Sequence, residues 1–425
     1  MMNNKLLRHL ALPLIILSAV TTVSHGDSSL PVLSLDEAVN IALQRESVSA
    51  ALAYRASSLD SQATADGQLP DPKLKLGLAN FPTDTFSRSQ EAMTQLQLGV
   101  VQAFPRGDSR AIKSRIVRDR ADKSRLMASD ARLKAHRDVA QDWLDLYYWL
   151  QAERTVRQSS SWFRKLVDVT ESRYRVGSAT QQDVVQAELE LDRLADRIEQ
   201  IRIKQDMARA GLSRWIGEAS DRPLPETLPD FVMPEKATGT TSELALHPLV
   251  QARDAEVQAG ENKVELARQS YRPGWALDVT YGDRSGVNPD GTDRADFLSA
   301  KVLLDIPVFT NKRQDQSLVA SQQELEAVRQ ERETLLREIG SQLQAAQSSL
   351  RIQQRQIELY RDRLVPQSQS HSELSLRAYE NNRVEFNSVV LARIAELDTR
   401  LKALRLEVDR AQTLTTLAYL AGEAK

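Results

Sequence analysis

The feature that most constrains this chain is a segment that occurs twice. The copies run from Tyr174 to Gly217 and from Tyr379 to Gly422, and they align without a gap. Each copy begins with a short turn and continues as an amphipathic helix. Such a repeat at a fixed offset is considered before other sequence signals, because it determines the architecture of the whole chain. Because two copies are too few for a solenoid, the sequence indicates an internal duplication.

The apolar residues of both helices are spaced three and four apart, which is typical of coiled-coil packing. In the first copy they are Val184, Ala187, Leu191, Leu194, Ile198, Ile201, Ala208, Leu212 and Trp215. In the second copy they are Val390, Ile394, Leu397, Leu401, Leu404, Val408 and Ala411. The second stripe is displaced around the helix, so we expect the two copies to face different neighbours.

Residues 1–26 predict a secretory signal peptide. Lys5 and Arg8 precede a short apolar run, Leu10–Val20, and small residues allow cleavage after Gly26. The alternative is a membrane anchor, but the run is shorter than the roughly 20 residues of a spanning helix. Loss of the leader would move the formal charge from −2 to about −4, which gives no reason to expect nucleic-acid binding.

The absence of cysteine from the sequence excludes several chemistries. A disulfide framework, a thiolate metal site, a cysteine nucleophile and a lipidated N-terminal cysteine all need a thiol that this chain lacks. Three histidines follow the leader, His136, His247 and His371, and none has metal-ligand spacing to another. We therefore predict no catalytic residues, no cofactor and no metal site, and expect the protein not to be an enzyme.

The first repeat is predicted to span residues 27–217. It opens with a helix from Ser34 to about Ala65, where Ser34 and Glu37 fit a capping box. Period-two alternation predicts strands at 73–81 and 94–104. Residues 108–217 then predict a long helical hairpin, because neither glycine nor proline occurs from Asp108 to Val176, although an interruption near Ser159–Ser161 is possible.

The same order returns after a proline-rich linker or equatorial segment, residues 218–248. The second repeat is predicted to span residues 249–422, with strands at 275–281 and 298–306 and a helical hairpin at 311–422, before a tail at 423–425. Pro366 should kink or divide the second long helix. The fold class is therefore mainly α, with duplicated long helical hairpins and four strands per chain.

Each predicted strand has one apolar and one polar face, as in a membrane barrel with lipid outside and water inside. The residues expected to face lipid are Leu76, Leu98, Val279 and Val302, and those expected to face water are Lys75, Gln97, Asp278 and Lys301. Two soluble hairpins packed on helices are the alternative. Four strands cannot close a barrel, and open edges are not tolerated in lipid, so a membrane role requires several chains.

At this point the chain resembles the TolC family of outer-membrane efflux proteins. The motif Tyr174-Arg175-Val176-Gly177, the run Asp183–Ala187 and their counterparts around Tyr379 and Val389–Ala392 carry the resemblance. It implies a homotrimer whose chains pool twelve strands in the outer membrane of a Gram-negative bacterium. It also implies an α-helical tunnel in the periplasm, and partnership with a periplasmic adaptor and an inner-membrane pump of the resistance-nodulation-division class.

The stretches QLPDPKLKLGLANFP and TQLQLGVVQAFPRG most resemble the CzcC-like heavy-metal branch of that family. The chain departs from the family pattern at Asn382, where glycine is usual, and at Glu46-Ser47, where Asn-Pro is common. It also lacks the lipidated cysteine of many relatives.

The two turns of the repeat are predicted to form a closed periplasmic tip, with Gly177 and Asn382 as the turn residues. Asp183 and Tyr379 should lie at similar depth, so a hydrogen bond between them could hold the gate shut. The alternative is that Asp183 only caps its helix and Tyr379 only packs. Glu373, Glu380 and Glu385 also cluster there, and an acidic ring would favour cations.

The function predicted from these features is a passive outer-membrane exit duct of a tripartite efflux system, serving a pump for heavy-metal cations. A periplasmic coiled-coil adaptor or scaffold without a barrel is the alternative from another class. The same duct could also serve drugs or a type I secretion system.

Overall fold

The computed structural model describes residues 31–423, apart from 236 and 238. The predicted leader, residues 1–26, lies outside the described residues. The first half contains α1 (Leu35–Arg45), α2 (Ser47–Asp66), β1 (Lys73–Ala79), β2 (Gln95–Phe104), α3 (Ser109–Arg175) and α4 (Gln181–Ile216). A 3₁₀ turn (Gly217–Asp221) and α5 (Thr241–Leu244) follow. The second half contains α6 (Pro248–Gln269), β3 (Gly274–Asp283), β4 (Phe297–Asp305), α7 (Gln314–Leu359), α8 (Val365–Glu380) and α9 (Phe386–Leu420).

The first predicted helix is two helices that meet at Glu46. The Glu46 backbone is extended, and its carboxylate accepts from the backbone N–H groups of Val48 and Ser49, so it caps α2. At the start of α1, Ser34 Oγ accepts from the Glu37 N–H at 3.2 Å, as the capping-box prediction requires. The Glu37 carboxylate is instead paired with Arg222, so only half of the predicted box forms.

The long helix α3 is continuous over 67 residues, which corresponds to about 100 Å at 1.5 Å per residue. The interruption considered near Ser159–Ser161 is absent. The Ser160 hydroxyl is buried and donates to the carbonyl of Val156 at 3.1 Å, so its polarity is satisfied within the helix.

The second long helix is divided as Pro366 predicts. A π-helical turn, Tyr360–Leu364, separates α7 from α8, and Pro366 occupies the first turn of α8. Proline cannot donate to the preceding turn and its ring crowds the carbonyl four residues earlier. The wider π turn, which ends just before Pro366, accommodates that crowding.

The four strands form one antiparallel sheet in the order β1-β2-β3-β4, and each strand lies within two residues of its predicted bounds. Each strand is joined directly to one long helix: β1 to α2, β2 to α3, β3 to α6 and β4 to α7. Those helices pack in the same order, α2 on α3, α3 on α6 and α6 on α7. The sheet and the helical layer therefore form one strip, with β1 and α2 at one edge and β4 and α7 at the other.

The buried core follows the heptad stripes predicted from the sequence. Ala187, Leu194, Ile198 and Ile201 of α4 and Val390, Leu397 and Leu401 of α9 belong to one cluster with residues of α3. The segment predicted as a linker, residues 218–248, packs against the helices. Leu224 is buried, and the Tyr147 hydroxyl of α3 donates to the Glu226 carbonyl at 3.0 Å. None of the described helices is both long enough and apolar enough to cross a membrane.

Candidate gate and barrel wall

The two turns that end the long hairpins have the same backbone geometry. Gly177 and Asn382 both adopt positive φ angles, 76° and 55°. At the first turn the N–H of Ser178 bonds the Arg173 carbonyl at 2.9 Å, and at the second the N–H of Arg383 bonds the Ala378 carbonyl at 2.8 Å. These bonds are those of a Schellman motif. Asparagine can replace glycine here because its short side chain tolerates the left-handed region.

Arg173 ties the two turns together. Its Nη1 donates to the Tyr379 carbonyl at 2.9 Å, its Nη2 donates to the Asn382 side-chain oxygen, and its guanidinium carbon lies 4.4 Å from the Tyr379 ring centre. The guanidinium therefore combines hydrogen bonds with a cation–π contact on the second hairpin. The sequence analysis did not single out Arg173, because its partners lie more than 200 residues away in the chain.

The predicted bond between Asp183 and Tyr379 does not form within the chain. Asp183 Oδ2 accepts from the Thr180 N–H at 2.8 Å and completes a capping box at the start of α4. Tyr379 is buried against Phe386, with ring centres 5.6 Å apart, and its hydroxyl makes no hydrogen bond of normal geometry with a described residue. Burial raises the pKa of the Tyr379 phenol. Within one chain the two residues thus cap and pack, while a bond between neighbouring copies stays a prediction.

The three predicted gate glutamates, Glu373, Glu380 and Glu385, are all exposed at this end of the molecule. Glu373 accepts from the Gln369 side chain at 3.0 Å, and Glu385 caps α9 without a side-chain bond. Arg175, Arg377 and Arg383 are exposed in the same two turns. The tip therefore carries charges of both signs, and which sign lines a central axis depends on how copies assemble.

A buried ion-pair group, also missed by the sequence analysis, lies above the second turn. Glu396 is only 2% exposed and accepts from Arg393 at 2.6 Å and Arg400 at 2.7 Å. The Arg393 guanidinium also lies 4.5 Å from the Trp162 ring centre, so the group joins α9 to α3. The signal that could have revealed it in the sequence is Glu396 itself, a carboxylate directly beside Leu397 of the apolar stripe.

The sheet has the two chemically distinct faces predicted from the alternation. The register pairs Leu76 with Leu98, Val100 with Val279 and Leu277 with Val302, so one continuous face is apolar. That face is open: Leu76 is 73% exposed and Val302 is 62% exposed. At its helical end Phe104 stacks on Trp275 with ring centres 3.9 Å apart. On the opposite face Lys75 donates to Asp278 at 2.9 Å.

The register places the four residues predicted to face lipid on one face of the sheet and the four predicted to face water on the other, while contact with lipid or water stays a prediction. The apolar set is Leu76, Leu98, Val279 and Val302, and the polar set is Lys75, Gln97, Asp278 and Lys301.

The three described histidines lie apart from one another. His247 is buried at the start of α6, where Nδ1 accepts from the Leu249 N–H at 3.2 Å and Nε2 bonds the Tyr419 carbonyl at 3.1 Å. Burial lowers the pKa of His247 and that of His136. Across residues 31–423, with the two gaps already given, no group of three or more potential metal-ligating side chains is found.

Solved structures of outer-membrane channels match this chain over nearly its whole length. CusC matches with a TM-score of 0.78 at 14% identity, covering 93% of each chain. VceC of Vibrio cholerae matches with a TM-score of 0.76 at 16% identity, covering 92% of this chain and 96% of the other. CmeC of Campylobacter jejuni matches with a TM-score of 0.76 at 13% identity, covering 98% and 94%.

The chain has the fold of these outer-membrane channels. The fold implied by the TolC resemblance, mainly helical with a small four-stranded sheet, is confirmed. No family model matches the sequence, and no curated protein sequence is similar to it. The channel fold does not distinguish the heavy-metal branch, since channels of several kinds match with TM-scores between 0.73 and 0.78.

Proposed function

We propose that this protein is the outer-membrane exit duct of a tripartite efflux system. It conducts substrate passively, while an inner-membrane pump of the resistance-nodulation-division class supplies energy and a periplasmic adaptor joins the two. The observation that carries the proposal is the shared order of sheet and helices. A strip of four strands continued by four helices, with both edges unpaired within the chain, has the form of one sector of a barrel and tunnel.

The unpaired edges support a ring of several copies. A membrane-spanning sheet must close, because an unpaired backbone N–H or C=O group in hydrocarbon costs several kcal/mol. Strand β1 of one copy would run antiparallel to β4 of the next, and α2 would lie beside α7. Three copies would pool twelve strands, as the TolC resemblance implies, with the exposed apolar face against outer-membrane lipid and the helices in the periplasm.

We place the gate at the two hairpin turns, opposite the sheet. Arg173 supports this placement, since it fixes the first turn to the second through contacts that a sliding hairpin would break. In the assembled ring Asp183 of one copy could meet Tyr379 of another, because the buried Tyr379 hydroxyl lies near Thr170 but makes no hydrogen bond of normal geometry with a described residue. Glu373, Glu380 and Glu385 would contribute acidic groups to the same end.

Heavy-metal cations are the cargo we propose, on the resemblance of the strand stretches to the CzcC-like branch. Drugs or a type I secretion substrate would use the same duct geometry. We also propose cleavage after Gly26 and a division into repeats at 27–217 and 249–422. The two repeats supply the two helical hairpins and the two halves of the sheet.

Membrane fractionation tests the proposal against the scaffold alternative. The full-length protein should fractionate with the outer membrane, resist washing with high salt or carbonate, and require detergent for extraction. A coiled-coil scaffold held by protein contacts would be released by the wash. Recovery of the protein in the wash would contradict the duct. Cargo is tested separately, by whether loss of the chain lowers tolerance to divalent metal salts.

A further inference from the structure

The polar face of the sheet concentrates lysine in two adjacent rows. The register aligns Lys73, Val101, Asp278 and Lys301 in one row across all four strands. The next row contains Lys75, Gly99, Thr280 and Ser299. Two rows of the face therefore carry three lysines and one aspartate per chain.

Only one of these lysines is neutralised by a salt bridge. Lys75 Nζ lies 2.9 Å from Asp278 Oδ2, and the Thr280 hydroxyl donates to the other Asp278 oxygen at 2.7 Å. Both oxygens of the carboxylate are thus occupied. Lys73 and Lys301 make no salt bridge with a described residue, although Lys301 is the register neighbour of Asp278. The two rows keep a net positive charge in every chain.

Along the central strand β3 the lysine face is the more occluded of the two. Asp278 is 8% exposed and Thr280 is 6% exposed, whereas Val279 between them, on the apolar face, is 39% exposed. The edge strand β4 is exposed on both faces. A flat sheet with both faces open would expose the short polar side chains as well. The difference indicates that the sheet curves toward its polar face. Closure into a barrel would then place the lysines in the lumen.

Glycine leaves the lumen clear at this level. A Cβ on Gly99 would lie 2.5 Å from the Thr280 hydroxyl oxygen and 2.9 Å from the Val279 carbonyl oxygen, so this position excludes larger residues. Gly77 and Gly282 occupy the same face one row farther from the helices, beside Gln97 and Phe297. Within the two lysine rows the other side chains are short, so the ammonium groups extend farthest from the wall there.

We propose that Lys73, Lys75 and Lys301 form an electropositive belt that selects anions inside the barrel. The proposal rests on the proposed function, since it needs several copies to close one lumen. Rings of lysine or arginine favour anions in pores, and low-dielectric walls focus their field. Asp305, on the same face, lies two rows nearer the helices and does not neutralise the belt row. Anions should pass this level more readily than bare cations, so the metal cargo proposed above would cross it as anionic complexes rather than as free cations.

The test is the reversal potential of the purified full-length protein in planar lipid bilayers under a potassium chloride gradient. The variant Lys73→Glu/Lys301→Glu should lower the chloride-to-potassium permeability ratio at least about threefold relative to the parent. The matched Lys73→Arg/Lys301→Arg variant keeps the charge and should leave the ratio unchanged. Inositol hexakisphosphate, added to either chamber, should block the parent and the arginine variant but not the glutamate variant.

The outcomes separate the belt from the duct. A conducting glutamate variant with the parent's permeability ratio and the parent's sensitivity to the polyanion would overturn the belt and leave the duct intact. If charge reversal prevents assembly, Lys73→Gln/Lys301→Gln should still shift the ratio in the same direction, and no shift would overturn the belt. If the closed gate keeps the parent from conducting, the same substitutions are made in the Arg173→Gln background, whose gate should open, and the absence of a conducting pore there too would overturn the proposed function together with the belt.

Discussion

The Arg173 guanidinium lies over the Tyr379 ring, with its carbon 4.4 Å from the ring centre, and donates at 2.9 Å to the carbonyl of the same residue. One side chain at the end of α3 thereby holds the end of α8. The turn side chains Val176 and Val384 are exposed. Arg173 therefore helps to fix one turn relative to the other, together with the buried cluster below the turns and the hydrogen bond of 2.9 Å from Gln186 to Asn387.

Replacing Arg173 with Gln should raise the resting conductance of the assembled protein. The change removes the cation–π contact and the charge-assisted hydrogen bonds, each worth about 0.5–3 kcal/mol, and so frees the two turns to separate. Arg175→Gln is the matched control, because Arg175 is an exposed neighbour whose hydrogen bond reaches only Ser172, at 3.3 Å. Single-channel recording in planar bilayers would measure both. Equal conductance of the two variants would contradict the role given to Arg173.

The variants Tyr379→Phe and Asp183→Ala distinguish the roles of these residues within one chain from a hydrogen bond between neighbouring copies. Within one chain Tyr379→Phe removes only an unbonded hydroxyl, whereas Asp183→Ala removes a helix cap worth about 0.5–2 kcal/mol. If copies meet through an Asp183–Tyr379 bond, the double variant should conduct more at rest than the parent. Parent-like conductance would reject that bond and leave only the capping and packing roles.

Leu98→Arg should impair assembly far more than Gln97→Arg. Leu98 belongs to the exposed apolar face and Gln97 to the polar face, and they are adjacent in β2. An arginine on the lipid side of a barrel costs about 2–4 kcal/mol near the midplane, while the lumen side is tolerant. The yield of detergent-extracted oligomer from outer membranes measures the difference. Equal yields would mean that neither face meets lipid.

The order of elements and the two faces of each strand could be predicted because their signals are local. Alternation placed Leu76 and Leu98 on one face before any pairing was known, and Pro366 marked the division of the second long helix. The break at Glu46 was missed because it involves neither glycine nor proline. The Glu46 carboxylate accepts from the N–H groups of Val48 and Ser49, so α1 ends and α2 begins at this residue. The sequence alone is equally compatible with one continuous helix.

The tip was only partly predictable. Gly177 and Asn382 identified the turns, since positive φ favours these residue types. The long-range partner of each side chain was not predictable. Asp183 bonds Thr180, three residues away, in preference to the distant Tyr379, because a helix start leaves unpaired N–H groups close at hand. Arg173 and Glu396 act through contacts that no spacing in the sequence reveals.

Asn382→Val should destabilise the second turn, whereas Asn382→Gly should be tolerated. The residue has a φ of 55°, where a β-branched side chain costs on the order of 1–3 kcal/mol and glycine has no Cβ penalty. Limited proteolysis at the turn would report the change. Glycine should still lose the Arg173 contact to the Asn382 side chain, so modestly faster cleavage is expected. Valine cleaved as slowly as the parent would contradict the assigned turn geometry.

Stability should fall as the pH drops below about 6.5, and His247 should contribute. Burial lowers its pKa in the folded state, so the unfolded chain binds the proton first and the folded state loses stability with acidification. His247→Asn keeps an acceptor for the Leu249 N–H and should reduce the difference between thermal unfolding at pH 7.5 and at pH 5.5. The exposed His371→Asn variant should keep the parent's difference. An unchanged difference in His247→Asn would exclude its contribution.

The central claim, that copies of this chain close one barrel edge to edge, is tested most directly by cross-linking β1 to β4. Within one chain the two edges are three strand spacings apart, about 14 Å at 4.7–4.9 Å per strand. Because the protein contains no cysteine, Gly77→Cys can be combined in turn with Ser299→Cys, Lys301→Cys and Leu303→Cys, which scans the unknown register. A bismaleimide spacer shorter than that separation then reports contacts between copies.

In native outer membranes at least one of these pairs should yield a covalent species of three chains, and Gly77→Cys alone should not. If every cysteine pair gives only uncross-linked single chains, although the protein is folded and present in the membrane, the shared barrel is contradicted.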